Sequence, residues 1–142
     1  MTDSVISHIG IAVADLEKAI DKYRLIIGEI HVEKYDVPDQ KVKVALINNS
    51  HNRQDSVIGV IELMTPTSPE SKVAKFLEKK GEGLHHICLY VDNLKQKLSE
   101  LKKAGVRLID ETPRRGAEGN LIAFIHPTSM NGVLIELEEK VT

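Results

Sequence analysis

Residues 4–13 of the chain read SVISHIGIAV, and their hydrophobic positions alternate. Ile9, Ile11 and Val13 fall on one face of an extended strand, and His8, Gly10 and Ala12 on the other. One face is aliphatic and bulky. The other is small and carries one imidazole. Asp15 then offers an N-cap. Leu16, Ala19, Ile20, Tyr23 and Ile27 follow at helical spacing, and Gly28 suits the position just past a helix end. The spacing predicts a helix over 16–27. Strands are predicted at 29–35, 42–48 and 57–64, with the polar stretch Asn48–Asp55 as a loop. The order is β-α-β-β-β.

The same order returns. A strand at 84–91 precedes Asp92 or Asn93 as cap. Leu94, Leu98 and Leu101 form a helical stripe ending at Gly105, and strands are predicted near 106–110, 121–126 and 132–138. The residues themselves repeat. HIGIAVADL at 8–16 matches HICLYVDNL at 86–94 at His8/His86, Ile9/Ile87, Val13/Val91 and Leu16/Leu94. Average composition would give about half a match over such a window. GVIEL at 59–63 parallels GVLIEL at 132–137, which pairs Glu62 with Glu136. Between the halves, Ser68-Pro69 is expected to open a short helix with Pro at its first position, burying Val73, Phe76 and Leu77. Each half is too short for a typical domain. The expectation is one α+β domain over 1–142, made of two βαβββ repeats (about 4–65 and 82–140) joined by a short helical linker.

Composition narrows the function. The 142 residues carry 19 Lys plus Arg against 21 Asp plus Glu, a net charge of −2. That balance argues against a protein that coats nucleic acid. Hydrophobic residues at 42% and charged residues at 28% describe a globular chain. No apolar run approaches the ~20 residues of a membrane span, and the first residues lack the basic-then-apolar pattern of a secretory signal. A soluble, cytoplasmic protein is expected. The single Cys excludes an intrachain disulfide framework and a multi-cysteine zinc site. Cys88 shares the face of His86 and reads as a small buried hydrophobe.

The chemistry sits on the repeat. His8 and His86 occupy equivalent first strands, and Glu62 and Glu136 equivalent fourth strands. Each Glu lies between aliphatic neighbours, where an unpaired carboxylate would be costly to bury. Two imidazoles and two carboxylates suit a divalent ion such as Co²⁺, Mn²⁺, Ni²⁺, Zn²⁺ or Mg²⁺. His31 and His51 read as exposed, and His126 before Pro127 as a turn residue. Lys75, Lys79 and Lys80 read as a solvated helix end. PRRGAEGN at 113–120 reads as either a hairpin loop or a lid whose arginines and backbone amides hold an anion.

These stretches, with HIGIAVADLEKAIDKY, KFLEKKGEGLHHI at 75–87, FIHP at 124–127 and GVLIEL, resemble the vicinal oxygen chelate (glyoxalase-like) superfamily. Within it they resemble its methylmalonyl-CoA epimerase branch. The resemblance implies a curved, eight-stranded mixed sheet around a metal cleft. It implies a divalent ion, Co²⁺ first, with Zn²⁺, Mn²⁺, Ni²⁺ or Mg²⁺ as the others, on His8, Glu62, His86 and Glu136. It implies that Glu136 doubles as a catalytic base on methylmalonyl-CoA, and that the protein is a homodimer. Gln40, Arg114, Arg115 and Gly116 become the candidate substrate contacts, and His85 takes a structural role on the face opposite His86. One departure stands out. Many members carry Gln-Gly-Val-x-Glu on the third strand, with its Glu as a second acid/base. Here the stretch is Gln40-Lys41-Val42-Lys43-Val44, so that group must come from elsewhere. Glu62 and the Gln40–Lys43 region are candidates. Two other readings stay open: a glyoxalase I-like enzyme acting on a thiol hemithioacetal, and a metal-free ligand-binding protein of the same fold.

Overall fold

The computed structural model describes residues 5–49 and 60–141. His51, most of the Asn48–Asp55 loop and the start of the strand predicted at 57–64 lie outside the described residues. Contacts divide the chain into two units, His8–His85 and Met1–Ser7 with His86–Thr142.

The unit His8–His85 builds a four-stranded sheet from β1 (Ile6–Ala12), β2 (Ile30–Val37), β3 (Val42–Asn49) and β4 (Val60–Pro66). Its order is β2-β3-β4-β1, antiparallel except for the parallel pair β1–β4. Helix α1 (Leu16–Ile27) covers one face. Asp15 caps it by accepting from the Lys18 amide at 3.1 Å, and Gly28 leaves it at φ 94°. Leu16, Ala19 and Ile20 pack there on Val13, Ala45, Ile47 and Leu63. This is the aliphatic face foreseen from Ile11 and Val13, whereas Ile9, expected on it too, is 39% exposed and outside that core. The helix expected to open at Ser68-Pro69 starts later. α2 (Lys72–Lys80) is capped by Ser71, whose hydroxyl accepts from the Val73 amide at 3.1 Å, so the proline lies in the preceding turn. The same hydroxyl donates to the Gln40 carbonyl at 3.2 Å. That bond ties α2 to a one-turn 3-10 segment, Pro38–Gln40, which the pattern did not reveal.

The other unit repeats the plan. β5 (Gly83–Tyr90), β6 (Arg114–Arg115), β7 (Leu121–Ile125) and β8 (Ile135–Glu139) run in the order β5-β8-β7-β6, with β5–β8 parallel and the rest antiparallel. α3 (Leu94–Lys103) is capped by Asn93 rather than Asp92, its side chain accepting from the Gln96 amide at 3.0 Å. Leu94 and Leu98 pack on Ala123, Ile125, Ile135 and Leu137. The strand expected near 106–110 reduces to a single bridge, Leu108–Ile125. Asp110 explains part of this, because its carboxylate accepts from the Phe124 amide at 2.9 Å where a strand would supply a carbonyl. The paired strand is instead the two arginines of PRRGAEGN, so that segment is a hairpin. β8 begins at Ile135, not 132, after a turn with Gly132 at φ 85°. No helix among the described residues is long and apolar enough to cross a membrane.

Candidate metal centre

Strand register decides which side chains meet. In a parallel pair, partners in register share a face. Gly10 is in register with Glu62 on β1–β4, and Cys88 with Glu136 on β5–β8. Each His lies two residues before the partner of its Glu, hence on the same face. The structure therefore brings His8 to Glu62 in one unit, with Nε2 and Oε1 3.6 Å apart, and His86 to Glu136 in the other, at 3.2 Å. All four residues are buried, between 4% and 7% exposed. These faces are opposite the helices, as the His8-Gly10-Ala12 alternation predicts.

The donor set fits a divalent ion. Two ligand atoms at about 2.1 Å from one ion are about 3.0 Å apart at right angles and about 3.4 Å at the tetrahedral angle. The two His–Glu separations lie close to that range. An imidazole nitrogen beside a buried carboxylate oxygen also matches the borderline-hard preference of first-row divalent metals.

The surroundings hold these groups in place. The Phe124 ring, in register with Glu136, meets the His86 ring edge to face at 5.9 Å between centroids. Above Phe124 sits the Arg114 guanidinium, 5.6 Å from the ring centroid. Arg114 Nε is 3.3 Å from Asp110 Oδ1, and Asp110 is itself anchored on β7. Of the predicted substrate contacts, Arg114 thus lies on the face of Glu136, in register with Ile122. Arg115 is exposed and donates to the Gly119 carbonyl at 2.7 Å. Gly116 packs against Ile122 so closely that a Cβ there would lie 2.7 Å from Ile122 Cγ2. Gln40 is half-buried at the foot of β3. Asp110 and Phe124 escaped the sequence reading, because LIAFI is apolar throughout and only the register of Phe124 with Glu136 puts that ring on the face of His86.

Beside Glu136 lies a second buried carboxylate, Glu138, 4% exposed. Its Oε1 accepts from Ser7 Oγ at 3.1 Å and Cys88 Sγ at 3.6 Å, and its Oε2 from Asn120 Nδ2 at 2.9 Å. Cys88 is buried, as expected. Burial pushes the Tyr90 phenol up to about 12, with the Ser7 hydrogen bond opposing the shift and the charge of Glu138 adding to it. Elsewhere His85 packs edge-on against Phe76 of α2 at 4.8 Å. His126 caps a turn by accepting from the Thr128 amide at 3.1 Å. His31 departs from expectation: its side chain is 28% exposed and lies 3.0 Å from Glu33.

Two units of one topology each bring one buried His to one buried Glu through strand register. The chain belongs to the glyoxalase/bleomycin resistance protein/dioxygenase superfamily, whose family model matches residues 7–124. It is similar to the mitochondrial methylmalonyl-CoA epimerase of Homo sapiens, 38% identical over 94% of this chain and 73% of that protein. The crystal structure of methylmalonyl-CoA epimerase from Mycobacterium tuberculosis superposes with a TM-score of 0.87 at 38% identity, covering 96% of this chain and 88% of that one. A variant of the Streptomyces coelicolor methylmalonyl-CoA epimerase in complex with 2-nitronate-propionyl-CoA gives 0.87 at 34% identity, over 97% and 95%.

Proposed function

We propose that the protein is a metal-dependent epimerase that interconverts (2R)- and (2S)-methylmalonyl-CoA. The observation that carries this reading is the pair of buried His–Glu contacts at matched register, in a chain similar to methylmalonyl-CoA epimerases over nearly its whole length. His8, Glu62, His86 and Glu136 are the proposed ligands of one divalent ion, with Co²⁺ as the first candidate. When bound, the ion supplies Lewis acidity where charge develops on the thioester oxygen.

The chain's own groups do the rest. A carboxylate oxygen of Glu136 takes the C2 proton, and the C–H electron pair stays on the substrate as the enolate. Burial of Glu136 and His86 lowers the local dielectric around that carboxyl group, which strengthens its electrostatic interactions. Phe124 fixes the plane of the His86 ring. Arg114, steadied by Asp110 and Phe124, is the proposed partner of the substrate's free carboxylate. The same reading makes the protein a cytoplasmic homodimer.

The test is exchange of the C2 proton of methylmalonyl-CoA with solvent deuterium, followed by mass spectrometry and chiral analysis. The metal-loaded protein is expected to exchange and epimerise. Glu136→Gln is expected to abolish both, and metal analysis before and after dialysis against a chelator reads occupancy separately. Turnover of methylglyoxal plus a thiol, without exchange on methylmalonyl-CoA, would overturn the reading in favour of a glyoxalase.

A further inference from the structure

A third His–Glu pair lies outside the two buried ones, on the outer strand of the unit His8–His85. His31, Glu33 and Tyr35 are i, i+2 and i+4 on β2 and so share one side of that strand. His31 Nε2 lies 3.0 Å from Glu33 Oε1, and Tyr35 Oη donates to Glu33 Oε2 at 2.9 Å. On the neighbouring strand β3, Asn48 is in register with His31. Directly opposed residues of an antiparallel pair point to the same side, with Cβ atoms about 5 Å apart. Asn48 Oδ1 is buried and meets no hydrogen-bond partner among the described residues.

We propose that His31, Glu33 and Asn48 form a second, peripheral divalent-cation site that takes a first-row ion such as Zn²⁺. The proposal does not depend on the epimerase reading. Three observations carry it. The first is the His31–Glu33 separation, which equals the distance between two ligand atoms at right angles around one ion, about 3.0 Å. A hydrogen bond has that length too, but it leaves the Asn48 oxygen without a partner, and a buried polar atom in that state needs an explanation. One ion answers the imidazole nitrogen, the carboxylate oxygen and the amide oxygen together. The second is Tyr35, which holds the other oxygen of Glu33, the kind of outer contact that orients a ligating carboxylate. The third is access. The His31 and Glu33 side chains are 28% and 43% exposed, so an ion reaches them from solvent and waters complete its shell.

The donor set selects the ion. Imidazole suits Zn²⁺, Ni²⁺ and Cu²⁺, whereas Mg²⁺ and Ca²⁺ take all-oxygen shells. The site is separate from the His8–Glu62 pair. Glu33 and Glu62 stand two strands apart in one row with Leu46 between them, about 10 Å at ordinary strand spacing. It offers a single anionic ligand on a half-solvated strand, so it should hold its ion more weakly than the proposed set of two His and two Glu.

The test is Zn²⁺ binding to the full chain by equilibrium dialysis and elemental analysis. The wild type should take up a tight equivalent and a weaker one. His31→Ala and Glu33→Gln should each lose the weaker equivalent and keep the tight one. Asn48→Asp, which puts an anionic oxygen at the same place, should tighten the weaker site by about tenfold or more. Tyr35→Phe should loosen it by about tenfold. Excess Mg²⁺ should not displace it. In the wild type the ring ¹⁵N resonances of His31, assigned by their loss in His31→Gln, should move as the weaker equivalent binds. Thermal unfolding of each variant reports whether the fold is kept, and the wild-type ¹⁵N shift carries the test where a variant does not fold. The inference is overturned if the weaker equivalent survives in both His31→Ala and Glu33→Gln, if the wild type binds only one ion and His31→Ala retains it, or if the His31 resonances stay in place throughout the titration. A wild type that binds only one ion, lost in His31→Ala and kept in His86→Ala, supports this site and overturns the proposed central ligand set instead.

Discussion

Removing the carboxylate of Glu138 should strand buried donors, and its cost can be worked from the contacts. In Glu138→Ala, Ser7 Oγ and Asn120 Nδ2 lose the acceptor they now reach at 3.1 Å and 2.9 Å. Both residues are buried, Ser7 at 3% and Asn120 at 7% exposed. A buried donor left unsatisfied costs about 1–3 kcal/mol. Cys88 is a weak donor and adds little. The sum is about 2–6 kcal/mol. The unfolding entropy of a 142-residue chain is roughly 0.3 kcal/mol/K, so each kcal/mol moves Tm by about 3 °C, and the total drop should be about 6–18 °C. Guanidinium denaturation followed by circular dichroism measures it. A double-mutant cycle sharpens the test. Ser7→Ala should cost about 1 kcal/mol in the wild type and less once Glu138 is gone, when only its hydrogen bond with Tyr90 remains to be lost. The reasoning is refuted if Glu138→Ala stays within about 1 kcal/mol of the wild type, or if Ser7→Ala costs the same in both backgrounds.

Two further stability predictions follow from the same unit. In Gly116→Ala the new Cβ would sit 2.7 Å from Ile122 Cγ2 and 3.1 Å from its Cδ1. Such overpacking should cost about 1–3 kcal/mol in thermal unfolding, and adding Ile122→Ala should make Gly116→Ala itself nearly neutral. Tyr90 ionises at about 12 in the folded chain against an ordinary 10. The folded state therefore prefers the protonated phenol, and that preference is fully kept below pH 10 and lost as pH rises from 10 towards 12. Phenolate absorbance should show a late-titrating component that is missing in Tyr90→Phe, and the alkaline loss of stability should be smaller in that variant.

What the sequence made legible follows from where its signals are local and where they are not. His8 and His86 were readable because each sits in a nine-residue match, and strand alternation alone sends both away from the aliphatic face. Glu62 and Glu136 were readable because a carboxylate between two aliphatics needs a partner, and the offset repeat named the partner. Boundaries set by a single side chain were harder. Ser68-Pro69 has the composition of a helix start, yet Ser71 also has a hydroxyl to offer, and it is the one engaged with both the Val73 amide and the Gln40 carbonyl. The segment 106–110 has strand composition, but the carboxylate of Asp110 takes the Phe124 amide. The row His31, Glu33, Tyr35 was hidden for another reason. IHVEKYDV alternates polar with apolar residues, which is the ordinary pattern of a half-solvated strand, so each polar residue alone reads as exposed. Only the pairing of Leu46 with both Glu33 and Glu62 places that polar side on the face that carries the His8–Glu62 pair. Register between strands far apart in sequence is a tertiary property, and local periodicity does not encode it.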